Sequence, residues 1–254
     1  GYTHGAFFVG ADGYVLTNGT TGTDTEWYLD LPQNGTIASF APYKTGQTHP
    51  LTYTYECFRC HAVGAQPHDP TRPQFQDGRP GILGTWAEPG VTCEACHGPG
   101  SNHVKDPHAR KNFADPSGRI CARCHLDGDD PNVITAAGGF ISHSTQAAEL
   151  RASGGHAEFS CTICHDPHAS TTYDRSEGLR NYCTACHPDQ NLAFHDDFTL
   201  VRGDYTEKVA CPSCHMPYAG RSNSAAGPAL VGESEARVGD VRTHIFRIDT
   251  TGAT

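Results

Sequence analysis

The sequence is poor in apolar material. Only 37% of its 254 residues are hydrophobic, and a single residue is methionine. Glycine and proline are frequent, at 28 and 17 residues. Burial of apolar side chains must offset roughly 1–2 kcal/mol of backbone entropy per ordered residue. An ordinary hydrophobic core is hard to build from this composition, so something other than side chains must fill the interior. No run approaches the ~20 apolar residues of a membrane-spanning helix. Lysine is almost absent (Lys44, Lys105, Lys111 and Lys208), which excludes a lysine-rich docking face. The net charge of −10 excludes nucleic acid as a natural partner. No cysteine is left over for a disulfide or a lipid anchor, because all 12 fall into one kind of motif.

That motif is CxxCH, and it occurs six times: Cys57/Cys60/His61, Cys93/Cys96/His97, Cys121/Cys124/His125, Cys161/Cys164/His165, Cys183/Cys186/His187 and Cys211/Cys214/His215. CxxC alone suits a zinc ribbon or a thioredoxin-type pair. A histidine after every second cysteine selects c-type haem attachment. Two thiols bond the porphyrin and the histidine binds the iron from the proximal side. Short helical turns are expected across the motifs, since cysteines at i and i+3 share a helix face. The spacings between proximal histidines are 36, 28, 40, 22 and 28 residues, too irregular for a solenoid of identical repeats. The expected fold is mostly irregular coil with short helices and a few short strands, wrapped around a row of six covalently bound haems. Because haem attachment normally follows export, Gly1 reads as the start of a processed chain.

Residues 1–50 contain no cysteine and alternate aromatic or β-branched residues with Gly, Asn and Thr. They read as a β-rich arm or cap, with turns at Asp12-Gly13 and Asn34-Gly35. Residues 51–254 read as the hexahaem domain. Within it, Thr145–Ala152 is the expected helix, residues 64–90 and 219–240 read as loop, and VRTHIFRI (241–248) reads as a strand. Arg59, Arg119 and Arg123 lie near the motifs, where they would pair with propionates. Asp127–Asp130 lacks the spacing of an EF-hand loop and reads as solvated.

The second axial ligand separates electron transfer from catalysis. Met216 directly follows His215 and cannot reach the far face of the same haem, so bis-histidine ligation is expected throughout. The distal candidates are His49, His103, His156, His168, His195 and His244. His143 is a further candidate, as is His4, which would be the natural donor across a subunit boundary. His168 follows His165 by three residues, so it must serve an adjacent haem. His68 and His108 read as solvent-exposed.

GVTCEACHGPGSNHV (90–104), GGFISHSTQAAELRASGGHAEFSCTICHDPH (138–168), CPSCHMP (211–217) and GDVRTHIF (239–246) resemble bacterial and archaeal multihaem c-type cytochromes. That group includes the tetrahaem cytochromes of ammonia oxidisers and proteins with doubled CxxCH motifs. The resemblance implies distal roles for His103, His156, His168 and His244. In general plan the chain is similar to filament-forming extracellular cytochromes. This implies an exported electron conduit at the cell surface, with other redox proteins or extracellular acceptors as partners and self-association into a homopolymer. The CHMP segment also resembles the pentahaem ammonia-forming nitrite reductases. Under that alternative, the chain is a periplasmic reductase of a small nitrogen or sulfur oxyanion and His143 lies beside an open iron. No CxxCK motif is present to support it.

Overall fold

The computed structural model describes residues 4–128, 130–190, 197–202, 205–222 and 238–247. Among them the longest helix is Gln146–Ala152, at 7 residues, and no strand exceeds 4. The chain is thus mostly irregular, with short helices and small sheets. No helix of the described residues is long and apolar enough to cross a membrane.

Two compact units divide the chain: residues 1–28 with 39–115, and residues 29–38 with 116–254. The first holds two CxxCH motifs and the second holds four. In the first unit, strands Gly5–Phe7, Glu26–Tyr28 and Ser39–Ala41 form an antiparallel sheet with Glu26–Tyr28 at its centre. The Asp12-Gly13 turn forms as the sequence suggests. Gly13 takes φ 87°, and its N–H donates to the Gly10 carbonyl. A second sheet pairs Ile82–Thr85 with Tyr53–Thr54 in parallel and with Gln66–Pro67 antiparallel. Phe58, inside the first motif, is 1% exposed beneath it, its ring 4.9 Å from Trp86 and 5.6 Å from Tyr53. Burial of one such ring is worth about 1.5–3 kcal/mol.

Residues 64–90 are therefore more ordered than their proline and glycine content suggests. Ile82 is buried in an alternating strand, and that one apolar anchor recruits the flanking pieces. His68 also differs from expectation. It is half-buried at the end of the Gln66–Pro67 strand, stacked 5.9 Å from Phe75, and its Nδ1 is enclosed without a hydrogen-bond partner. Phe75 bridges to Leu83 and Gly84, and this brings the ring over His68.

In the second unit, helix Gln146–Ala152 follows Thr145 as expected, with Ala148 and Glu149 on its buried side. Phe140–Ser142 pairs in parallel with Gly220–Arg221 and antiparallel with Ala136–Ala137. The strand expected at 241–248 is not formed. Val241 makes an isolated bridge to Gly220, and the chain then runs irregularly to Phe246, whose φ is 57°. The His244 N–H goes to the Glu149 carboxylate instead of a neighbouring strand.

Candidate haem-binding sites

Every motif begins on a single helical turn. These are Tyr55–Phe58, Cys93–His97, Arg119–Ala122, Cys161–Cys164, Cys183–Cys186 and Cys211–His215. The helix does not cross every motif as expected, because in the first and third it ends before the second cysteine. There Arg59 (φ −56°, ψ −30°) and Arg123 (φ −61°, ψ −27°) keep helical angles and carry the turn on to Cys60 and Cys124. The Cys124 N–H donates to the Cys121 carbonyl at 3.1 Å, and the His61 N–H donates to that of Phe58 at 3.0 Å. One turn puts residues i and i+3 on the same face, so each pair of thiols shares an edge.

None of the twelve thiols is in a disulfide, and all reach the surface to some degree. Cys93 and Cys96 are both exposed, as are Cys183 and Cys186. Cys121, Cys124, Cys161 and Cys164 are half-buried. The first and last motifs are mixed, with Cys57 and Cys214 exposed while Cys60 and Cys211 are half-buried. Among the described residues, no group of three or more His, Cys, Asp or Glu side chains is placed to hold a bare metal ion. The cysteine pairs present their sulfurs at an edge, where a group can attach.

Some of the apolar side chains left in solvent lie on these same segments. Val91 and Phe159 each stand two residues before a motif, Tyr182 immediately before one, and Ile163 inside one. By contrast, the buried hydrophobic residues among those described number seven. A flat apolar group attached at the thiols would cover the exposed side chains, so the surroundings fit haem.

The imidazoles are held ready for a metal. The Phe113 carbonyl accepts a hydrogen bond from His97 Nδ1, and the Phe246 carbonyl accepts one from His215 Nδ1 at 3.2 Å. His125 Nδ1 lies 3.0 Å from Gln146 Oε1, and the Gln146 amide nitrogen donates to the His143 carbonyl. Because these acceptors hold no proton, Nδ1 must carry it, which leaves Nε2 with a lone pair. A metal-binding histidine needs this tautomer, and such a bond fixes it. His103 has the same arrangement, with Nδ1 2.7 Å from the Arg110 carbonyl. His61 is exposed and is fixed through its main chain, its carbonyl accepting the Gly90 N–H at 2.9 Å.

Two proximal histidines lie beside a distal candidate. The rings of His165 and His244 are 6.1 Å apart, centre to centre, and those of His187 and His156 are 5.9 Å apart. A metal–imidazole bond of ~2 Å plus ~1.1 Å from nitrogen to ring centre, on both sides, spans about 6 Å. Burial, reinforced by the nearby His165, pushes the His244 imidazole down to about 4, against the opposing pull of Glu149. Burial also lowers His165, with His125 adding to the effect. Both rings are therefore neutral at pH 7, as ligands must be.

The other candidates are placed differently. His49 is exposed just before Leu51, and its carbonyl accepts from the Gln47 amide. His168 sits on an exposed turn where its N–H donates to Asp166 Oδ1 at 2.9 Å. Arg180 donates to the other oxygen of Asp166, and the two contacts hold that carboxyl below its usual range. His4 immediately precedes the first strand, and His143 follows Phe140–Ser142. His108 is exposed, as expected. His195 lies outside the described residues.

Successive motifs of the second unit bring their thiols near one another. A hydrogen bond with Cys121 is the main cause that draws the Cys161 thiol down to about 6. Burial raises Cys164, with Cys186 nearby adding to it, and burial raises Cys183, with Cys211 adding. The contact of the third motif with the fourth is close. A methyl group on Gly118 would come within 3.2 Å of the Cys161 Sγ.

Sequence reasoning missed one residue. Glu149 is 2% exposed, and its two carboxylate oxygens bind Thr145, Thr243 and the His244 N–H. Its place four residues after Thr145 on an alanine-rich helix is a weak signal. The partners that define its role lie 94 and 95 residues away.

Residues 85–188 match the cytochrome c3 family, which indicates covalently bound haem c with its iron. Comparison with curated proteins gave no match. Two solved structures share the fold. The outer cell wall cytochrome OcwA is 18% identical, with a TM-score of 0.52 over 95% of this chain and 63% of its own. The undecahaem cytochrome from the S-layer of Carboxydothermus ferrireducens is 17% identical, with a TM-score of 0.50 over 98% of this chain and 44% of its own. The chain thus spans less than two thirds of the length of either. What the six motifs, the family match over residues 85–188 and the shared fold have in common is the multihaem c-type cytochrome, and that is what this chain is similar to.

Proposed function

We propose that the chain attaches six haems c, one at each CxxCH motif, and passes electrons along them through irons closed by two histidines. The observation that carries this reading is the spacing of the two imidazole pairs, 6.1 Å for His165 and His244 and 5.9 Å for His187 and His156. Each bound haem supplies a one-electron iron couple. The residues do the rest. Bonds from Nδ1 hold the proximal rings of His97, His125 and His215 in one orientation. His61 takes the same proximal role for the haem on Cys57 and Cys60. A second imidazole on each iron leaves no position for a substrate, which favours a carrier over a reductase. His103, with its tied Nδ1, supports the same role, and His49, His168 and His195 complete the distal set, with His143 and His4 in reserve. Thiol contacts between successive motifs set the attachment points side by side, which keeps each electron step short.

The two proteins that share the fold are an outer cell wall cytochrome and an S-layer cytochrome. We infer from this that the chain works at the cell surface, exchanging electrons with other redox proteins or extracellular acceptors. Self-association into a filament belongs to the same reading, with His4 donated to a neighbouring copy. Its support is the exposed aromatic pair Phe8 and Phe40, 6.2 Å apart, Phe8 following the first strand and Phe40 within the third strand of the N-terminal sheet, with His4 just before the first.

Electron paramagnetic resonance of the oxidised holoprotein, with carbon monoxide added after reduction, tests the core of this reading. Low-spin signals from every iron and no carbon monoxide adduct are expected. A high-spin iron that takes up carbon monoxide would overturn the closed conduit and favour the reductase.

A further inference from the structure

We propose that Glu149 positions His244 as the second axial ligand of the iron held by His165. The inference rests on the bis-histidine reading above and adds to it a pairing and the residue that enforces it. His244 follows His165 by 79 residues, so nothing local brings the two together.

The His244 ring lacks the tie that orients the other ligands. His97, His103, His125 and His215 each anchor Nδ1 on an oxygen of the chain, whereas the Nδ1 of His244 is enclosed without a hydrogen-bond partner. Its direction therefore comes from the segment that carries it, including a contact with the Arg242 backbone. That segment is not in a strand, and Phe246 with φ 57° turns it away from extended pairing two residues later. Glu149 Oε2 accepts the His244 N–H at 2.7 Å and also the Thr243 hydroxyl. Glu149 Oε1 is held at 2.8 Å by the hydroxyl of Thr145, one helical turn before it. Glu149, Thr145 and Thr243 are buried, at 2%, 0% and 5% exposure. Without Glu149 the enclosed Thr243 hydroxyl and His244 N–H would lose their acceptor, and leaving buried donors unsatisfied is costly.

The helix that carries Glu149 is also fixed to the third motif. Its Gln146 side chain meets His125 Nδ1, and the Ala147 N–H donates to the His125 carbonyl. The Glu149 contact thus locks the 242–246 segment to a frame that already holds a haem site. The Phe246 ring, 4.7 Å from His156, and the Phe246 carbonyl on His215 extend the frame to the ligands of the fifth and sixth motifs. Glu149 is a positioning residue, since it acts on the iron through His244.

The experiment compares His244→Ala, Glu149→Ala, Glu149→Gln and Thr243→Val in the holoprotein, read by electron paramagnetic resonance and by carbon monoxide uptake per haem after reduction. His244→Ala should convert one iron in six to a high-spin, carbon monoxide-binding form. Glu149→Ala should open the same iron and leave the other five low-spin. Glu149→Gln should restore the wild-type spectrum, because its amide oxygen still accepts the His244 N–H. Thr243→Val, which removes the hydroxyl's bonds to Glu149 and to the Ile245 N–H and keeps the volume, should give partial opening of that iron. It decides the matter if Glu149→Ala does not mature. If His244→Ala opens one iron while neither Glu149→Ala nor Thr243→Val changes it, the role of Glu149 is refuted and the pairing stands. If His244→Ala leaves every iron low-spin, the bis-histidine pairing itself is refuted. A loss of several haem signals together in Glu149→Ala, not rescued by Glu149→Gln, would also refute a specific role.

Discussion

Tyr53 shows how one residue in this chain responds to burial. Its ring lies between Phe58, Phe7 and Trp86, at 5.6, 5.8 and 6.3 Å. Burial is the main cause that pushes the phenol up to about 12 from its usual 10. An acid raised in this way is favoured neutral in the folded state. Its contribution is intact below pH 10 and is lost as pH rises towards 12. Melting temperature should therefore fall between pH 10 and 12, and Tyr53→Phe should flatten that part of the curve. An unchanged alkaline slope in Tyr53→Phe would remove Tyr53 as its source. At this scale the motif is what was legible, because CxxCH names its own cysteines and histidine as the proposed attachment points and ligand. Glu149 was not legible, since an acidic residue on a short helix usually faces water and its partners are far along the chain. His68 was misread because Asp and Pro beside it suggest solvent, while the strand that buries it comes from apolar residues further on.

Among the elements, the strand Ile82–Thr85 carries the most risk per residue. Gly84 holds φ 117°, a region that side chains resist. An added methyl group would meet the Gln66 carbonyl oxygen at 2.4 Å and the Phe58 ring at 2.9 Å. Gly84→Ala should destabilise the first unit by roughly 2–4 kcal/mol through strain and overpacking. Calorimetry should show this as a lower melting temperature with the second unit's transition unmoved. A wild-type melting profile would mean that the two sheet pieces tolerate separation. The elements were legible where they are local. The single turns over the motifs and helix Gln146–Ala152 follow from spacing and propensity. Elements set by distant partners were not. Apolar alternation at 241–248 suggests a strand, but side-chain bonds from Glu149 and a left-handed Phe246 take its place.

At the scale of the whole molecule, the second unit has a linear plan that its sequence spacing conceals. The Cys121 thiol lies within hydrogen-bond reach of Cys161, Cys164 lies near Cys186, and Cys183 lies near Cys211. The fourth motif uses one thiol towards the third motif and the other towards the fifth, and the fifth uses its two thiols in the same way. Further bonds reinforce the step from fourth to fifth. The Asn181 amide donates to the Ile163 carbonyl at 2.6 Å, and the Arg180 N–H donates to that of Cys164 at 2.9 Å. Electrons should therefore cross this unit in sequence order through the third, fourth, fifth and sixth motifs, with the fourth as the bridge. Replacing both Cys161 and Cys164 with serine removes that haem and cuts the row. After pulsed photoreduction, the wild type should equilibrate its haems at a rate independent of protein concentration. The variant should show a slow fraction whose rate rises in proportion to concentration, because electrons can then pass the gap by collision between molecules. Equilibration that stays fast and independent of concentration in the variant would mean that the third motif reaches the fifth or sixth by another path. In that case the thiol contacts describe packing and not the route of the electrons.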